Sequence, residues 1–192
     1  PKRSMLNHIT QLAIPDLSIL DDLSSYYYQA LCWIMTQDDK VNEYSTCDGT
    51  ILQRYVMALF YLSHKEVFNF DDFSSQDTCE WPGVTCDSRN KYMQEINLSD
   101  KKLQGTIVTE IGLLQSLHKI DLSANNFTGS LIKEIQYLHN IQELNFTSNE
   151  LVGTINPSIF THLPNLETLD VSSNMLAGEI PKEILNPPKL KN

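Results

Sequence analysis

No apolar run in this 192-residue chain approaches the roughly 20 residues needed to cross a bilayer, so membrane attachment is expected only through a segment outside it. Basic charge is short: 14 lysines and arginines stand against 24 acids, a formal net charge of −10. That balance excludes nucleic acid, whose phosphates require a basic face. No G-x-S-x-G nucleophile, H-E-x-x-H metal motif or glycine-rich phosphate loop occurs, so enzymatic activity is not expected. The acid pairs Asp21-Asp22, Asp38-Asp39 and Asp71-Asp72 lack the alternating ligands and the glycine of a calcium loop; they read as solvated turn carboxylates. The five histidines are scattered, and neither a metal nor a cofactor is expected. Cysteines number only four, but an even count predicts bridges, and bridges imply an oxidising compartment.

What is present suits a globular protein: 41% of residues are hydrophobic and 20% charged. The acidity lies mostly in front, with 13 acids and 6 bases over residues 1–90 against 11 and 8 over 91–192. The chain begins at Pro1 with no initiator Met or signal peptide, and so reads as trimmed.

The second half repeats itself. Segments start at Met93, Leu117 and Ile141, 24 residues apart, and at Leu166 after 25. Within them Ile96 and Leu98 match Ile120 and Leu122, then Leu144 and Phe146, then Leu169 and Val171. An inward asparagine follows at Asn125, Asn149 and Asn174, placed to serve backbone groups where the chain leaves the strand. Lys101 takes that place in the first repeat, so its turn should be built differently. Then come a glycine at Gly105, Gly129, Gly153 and Gly178, and an isoleucine or leucine two positions later. The alternation around each L-x-L predicts a short strand in a parallel sheet.

The pattern L-x-x-L-x-L-x-x-N-x-L-x-G-x-I resembles the plant-type leucine-rich repeat. That family usually carries proline after G-x-I; only Pro181 keeps it, while Val108, Ile132 and Asn156 do not, which leaves the second short strand of the first three repeats in doubt. "C-x-W-x-G-V-x-C", here Cys79, Trp81, Gly83, Val84 and Cys86, resembles the N-terminal cap motif of the same receptors. The resemblance implies a Cys79–Cys86 disulfide, with Trp81 over the apolar edge of the first repeat. Two thiols without further Cys or His nearby are too few for a metal, and a redox pair would want C-x-x-C spacing.

Ahead of the motif, "SSYYYQALCWIM" and "TILQRYVMALFYLS" read as amphipathic helices, the first capped by Ser24 or Ser25. Of the three tyrosines 26–28, one or two should pack inward. Cys32 and Cys47 flank an acidic loop, and a bridge between them would stabilise the chain by about 3 kcal/mol through loop entropy. This two-helix layout looks like algal relatives of the family. The fold expected is therefore an α/β solenoid, a right-handed leucine-rich-repeat superhelix with a parallel sheet on its concave face. Residues 1–20 form an irregular lead-in, 21–92 the helical, disulfide-bonded cap, and 93–192 four repeats with a fifth cut off at Leu190. An apolar edge should stay open there.

The register defines the concave face. One row runs Asn97, Asp121, Asn145, Asp170 and another Ser99, Ser123, Thr147, Ser172, with His118 and Lys119 beside them. It lacks the Trp, Tyr and Arg anchors of a tight protein hot spot and suits a polar peptide or glycan; equally, these residues are the common filling of such repeats. Three sequons, at Asn97, Asn126 and Asn145, are candidate N-glycan acceptors, Asn126 being the most accessible. The resemblance implies a non-catalytic, receptor-like recognition module for a protein or peptide, on the extracytoplasmic side of a membrane. Two readings stand beside it: a structural subunit clamping a larger membrane-associated or lumenal assembly, and an inhibitor of secreted enzymes.

Overall fold

The computed structural model describes residues 2–14, 18, 21–37, 49–69, 74, 76–89 and 91–191. They form two compact units, Pro1–Trp81 and Pro82–Asn192. The division falls inside the Cys–Trp–Cys motif rather than at 92/93. The reason is a strand, Val84–Cys86 (β1), that pairs antiparallel with Met93–Asn97 (β2) and so belongs to the repeat sheet.

The first unit holds three helices. Lys2–Ala13 (α1) is helical, where the sequence suggested an irregular lead-in. Its polar composition masks a short stripe, Ile9 and Ala13, four residues apart and both buried. Tyr26–Thr36 (α2) starts at Ser25, whose hydroxyl accepts the Tyr28 N–H at 3.2 Å. Tyr26 is exposed and Tyr27 and Tyr28 are half-buried, so none of the three turns fully inward.

Thr50–Leu62 (α3) is buried at every position from Thr50 to Tyr61, more completely than a stripe would require. Arg54 lies within it, fully buried. Its guanidinium sits 4.8 Å from the ring centroids of both Trp33 and Trp81. It donates to the carbonyls of Ser74 at 2.6 Å and Gln76 at 2.9 Å, and to Thr78 Oγ1 at 3.2 Å. A buried cation is tolerable when its hydrogens are taken and its flat faces lie on aromatic rings. Trp81, 1% exposed, also packs 6.1 Å from Trp33 and 5.6 Å from Tyr61, centroid to centroid.

Cys79 and Cys86 are disulfide-bonded. Cys32 is a free thiol, its Sγ 3.8 Å from Thr36 Oγ1 one turn along α2. The expected Cys32–Cys47 bridge is therefore not made; Cys47 lies outside the described residues. Parity counts thiols but does not place them. The acidic loop and the pairs Asp38-Asp39 and Asp71-Asp72 also lie outside the described residues.

In the second unit β1, β2, Lys119–Asp121 (β4), Glu143–Asn145 (β6) and Thr168–Asp170 (β8) form one sheet in that order, parallel from β2 onward. Ile96, Ile120, Leu144 and Leu169 stand in direct register. A second row of short strands, Gln104–Thr106 (β3), Asn126–Thr128 (β5), Val152–Gly153 (β7) and Met175–Leu176 (β9), is present in all four repeats. The missing prolines do not prevent it. The repeat glycines hold φ between 77 and 88°, which a side chain resists, and the backbone bonds across rungs do the rest. Each coil closes through a 3-10 turn, or at Ser158–His162 (α4) one turn of α-helix.

The inward asparagines hold the coils together. Asn149 donates to the carbonyls of Leu122 and Phe146, both at 3.0 Å, and accepts the Phe127 N–H at 3.0 Å. Asn125 makes the same set with Leu98, Leu122 and Leu103, and Asn174 with Phe146, Val171 and Leu151. Lys101 cannot do this, and the first turn does differ: Lys102 adds a left-handed residue, φ 57°, that no other repeat has. At Gly83, φ 78°, a Cβ would collide with the Asn97 carbonyl, whose own N–H bonds the Gly83 carbonyl. Burial falls off in the last repeat: Leu131 is 4% exposed, but its counterpart Ile180 is 72% exposed.

Asn149→Ala should destabilise the chain by about 3 kcal/mol in urea unfolding, since it leaves the buried Phe127 N–H unpaired and takes one of two asparagine donors from each of the Leu122 and Phe146 carbonyls. Arg54→Met should cost a similar amount, about 3 kcal/mol, and Arg54→Lys should recover less than half of it, because an ammonium cannot span the three acceptors and lie flat between the two indoles.

Candidate ligand-binding face

The polar side chains of the main sheet are placed by the strand register. Glu95, Lys119 and Glu143 align across β2, β4 and β6, and Asn97, Asp121, Asn145 and Asp170 across β2, β4, β6 and β8. Rungs of a sheet repeat at about 4.8 Å, so each row is a ladder of fixed spacing.

Every member of the second row is oriented in the same way. Oδ1 of Asn97, Asp121, Asn145 and Asp170 accepts the backbone N–H two residues on, at 3.0 to 3.2 Å. Asn97, Asp121 and Asp170 also accept the hydroxyl of Ser99, Ser123 and Ser172 at 2.6 to 2.9 Å. The serine row is thus spent on holding the first row. Ser172 and then Thr147 hydroxyls, with the Ser172 N–H, keep the Asp170 carboxyl below the ordinary value of 3.8.

Two ion pairs cross the rungs: Lys119 to Glu143 at 2.8 Å and Lys191 to Glu167 at 2.7 Å. The Glu143 hydrogen bond and charge, then Glu95 and Asp121, raise the Lys119 pKa. Sequence reasoning missed these pairs, although the 24-residue separation of Lys119 from Glu143 and of Glu167 from Lys191 was the signal. His118 is half-buried, and its Nδ1 is enclosed without a hydrogen-bond partner, so it is less available than its place in the register suggested.

Among the sequons, Asn97 and Asn126 are exposed and Asn145 is half-buried. Asn126 stands on β5, away from the main sheet, and its Nδ2 donates to Glu150 at 3.1 Å. In the helical unit Tyr28, Cys32, Trp33, Lys65 and Phe68 line part of a hollow of about 540 Å³. It offers one lysine and one thiol, with no geometry for acid–base or nucleophilic work. Among the described residues no group of His, Cys, Asp or Glu could hold a metal, and no helix is long and apolar enough to cross a membrane.

Residues 115–176 match the family described as "Leucine rich repeat". Phytosulfokine receptor 1 of Arabidopsis thaliana is 32% identical over 157 residues, 81% of this chain and 13% of that receptor. The Arabidopsis receptor kinase HAESA ectodomain, solved with an extended IDA peptide hormone, superposes with a TM-score of 0.63 at 29% identity, over 76% of this chain and 24% of its own. The chain belongs to the plant receptor-type leucine-rich-repeat family. A further leucine-rich-repeat likeness, the BIR3–SERK2 complex from Arabidopsis thaliana, matches with a TM-score of 0.59 at 28% identity, over 67% of this chain and 69% of the other. The leucine-rich-repeat segment here thus spans only 13% of the length of the curated receptor it matches.

The depressed pKa of Asp170 gives it a stability contribution present above its unfolded value and lost as pH falls through the folded one, below about pH 4. Ser172→Ala should move the Asp170 midpoint upward toward 3.8, read by carboxyl carbon NMR across an acid titration.

Proposed function

We propose that this chain is a non-catalytic recognition module of a receptor-like, extracytoplasmic protein, and that it binds a protein or peptide ligand on the main sheet of the repeat unit. The observation that carries the reading is the pre-set polar ladder of Asn97, Asp121, Asn145 and Asp170, held by the chain's own backbone at fixed spacing. Fixed donors and acceptors bind with little loss of side-chain entropy. The similar structures support it: HAESA is solved with a peptide hormone, and another of its structures includes the co-receptor SERK1. The bridged Cys79 and Cys86 fit an oxidising compartment, and Asn126 is then the sequon best placed to carry a glycan.

One observation favours a structural role in a larger assembly. Met175, Ile180 and Leu185 in the last repeat are 58%, 72% and 86% exposed, an apolar edge of the kind that packs against another apolar surface.

Peptides selected from a random library on the whole oxidised chain should lose at least about tenfold in affinity when Ser123→Trp blocks the centre of the sheet. Gln104→Trp, on the second row of strands, should leave binding unchanged. Binding that survives Ser123→Trp, or selection of no peptide at all, overturns the recognition reading in favour of the structural one.

A further inference from the structure

The helical unit holds a hollow that the reading of the main sheet does not use. At about 540 Å³ it falls within the usual range of small-molecule sites, about 300–1,000 Å³. Its buried lining is Trp33 and Phe68, with Tyr28, Cys32 and Leu62 half-buried beside them. Lys65 and Gln37 stand exposed at its mouth.

The aromatic lining is held in place by the rest of the unit. Arg54 lies 4.8 Å from the Trp33 ring centroid, and the Trp81 ring 6.1 Å from it. Phe68 meets Tyr61 edge-on at 4.7 Å. Tyr28 sits in the first turn of α2, its N–H bonded to the Ser25 hydroxyl. Rings seated in this way do not swing in to fill the space, and an entering molecule finds its partners already ordered. Three aromatic rings favour a flat ring over a saturated body, because rings gain from edge-to-face and offset contact beyond simple burial.

The charge at the mouth selects further. Lys65 is the one charged residue of the lining, and its ammonium has no partner among the described residues. The side-chain amide of Gln37 is uncommitted in the same way. No acid lines the hollow. A cation entering it would meet Lys65 with no carboxylate beside it, and a neutral molecule would leave the ammonium unmatched. An anion pairs with Lys65 next to apolar surface, where a charge pair counts for more than in open water. The net negative charge of the chain opposes the approach, but at physiological salt that field is screened beyond about 8 Å, whereas contact with Lys65 is not.

We infer that the hollow beside α2 and the C-terminal end of α3 binds a small aromatic acid, with its ring among Tyr28, Trp33 and Phe68 and its carboxylate on Lys65. The site stands apart from the main sheet, so it takes a ligand in addition to any held there. The free thiol of Cys32, in the same lining, reports occupancy directly.

Three probes separate charge from shape: naphthalene-2-carboxylate, its uncharged carboxamide, and the saturated decalin-2-carboxylate. Each is titrated calorimetrically against the whole chain with the Cys79–Cys86 bridge intact. The first should bind at least about fivefold more tightly than either of the others. Lys65→Gln, a change at an exposed position, should bring the aromatic acid down to the affinity of its amide. Saturating naphthalene-2-carboxylate should slow alkylation of Cys32 by iodoacetamide, followed by peptide mass spectrometry, at least about threefold. No binding, equal affinity of the acid and either analogue, a preference that survives Lys65→Gln, or a Cys32 alkylated at the same rate overturns the inference. Library peptides that depend on Ser123 would in each case leave the recognition reading intact.

Discussion

The repeat unit depends on one constraint: strands of three residues leave backbone groups buried at every bend, and something must bond them. The inward asparagine does so with both ends of its amide. Asn149 reaches the carbonyl of its own rung at Phe146, the carbonyl of the rung before at Leu122, and the N–H of the previous turn at Phe127. One side chain thus fixes rise, register and turn together. An unmet buried peptide group costs about 1–3 kcal/mol, so the three asparagines decide whether apolar coils stack as a unique structure or merely collapse. The leucines and isoleucines supply the driving force, and the asparagines select the geometry.

The helical unit meets the opposite difficulty. Its apolar surface is ample, but the carbonyls of Ser74 and Gln76 belong to no helix or strand that would take them up. Arg54 takes two of them and the Thr78 hydroxyl, and fills the space between two tryptophans. An apolar side chain of equal volume would pack there but would leave the carbonyls bare. Both units therefore place a polar side chain with several donors in a dry interior, in each case to serve backbone rather than another side chain.

The repeats were legible because their signal is redundant: the same positions recur four times at one period, and Ile96, Ile120, Leu144 and Leu169 do stand side by side. Helix α2 was legible from its capping serine and apolar stripe, and α3 from its apolar stripe alone. What stayed hidden occurs once. The second row of strands is mostly exposed residues such as Gln104 and Thr106, with Phe127 alone buried, so no sustained hydrophobic alternation announces it. Helix α1 shows only Ile9 and Ala13 on its described buried side. Arg54 reads as an ordinary surface charge on a helix until its neighbours are known. The polar row of the main sheet was legible as a set of residues, but not its orientation, because which atom of Asn97 or Asp121 is spent on Ser99 or Ser123 is a matter of turn geometry.

That orientation is set by the fold's own hydrogen bonds. The backbone N–H two positions after each row member, joined at Asn97, Asp121 and Asp170 by a serine hydroxyl, turns the acid or amide and keeps it turned, at almost no cost in new buried surface. The parallel register then carries the choice of Asn or Asp on each strand into an alternation of outward donor and acceptor along the sheet. Such a surface is poor at gripping a large hydrophobic partner, since it has no aromatic anchor and little to desolvate. Net negative charge speeds the approach of a basic ligand and repels acidic competitors. Side chains already fixed by the fold lose little entropy on contact, so a face built from single hydrogen bonds can still discriminate by spacing.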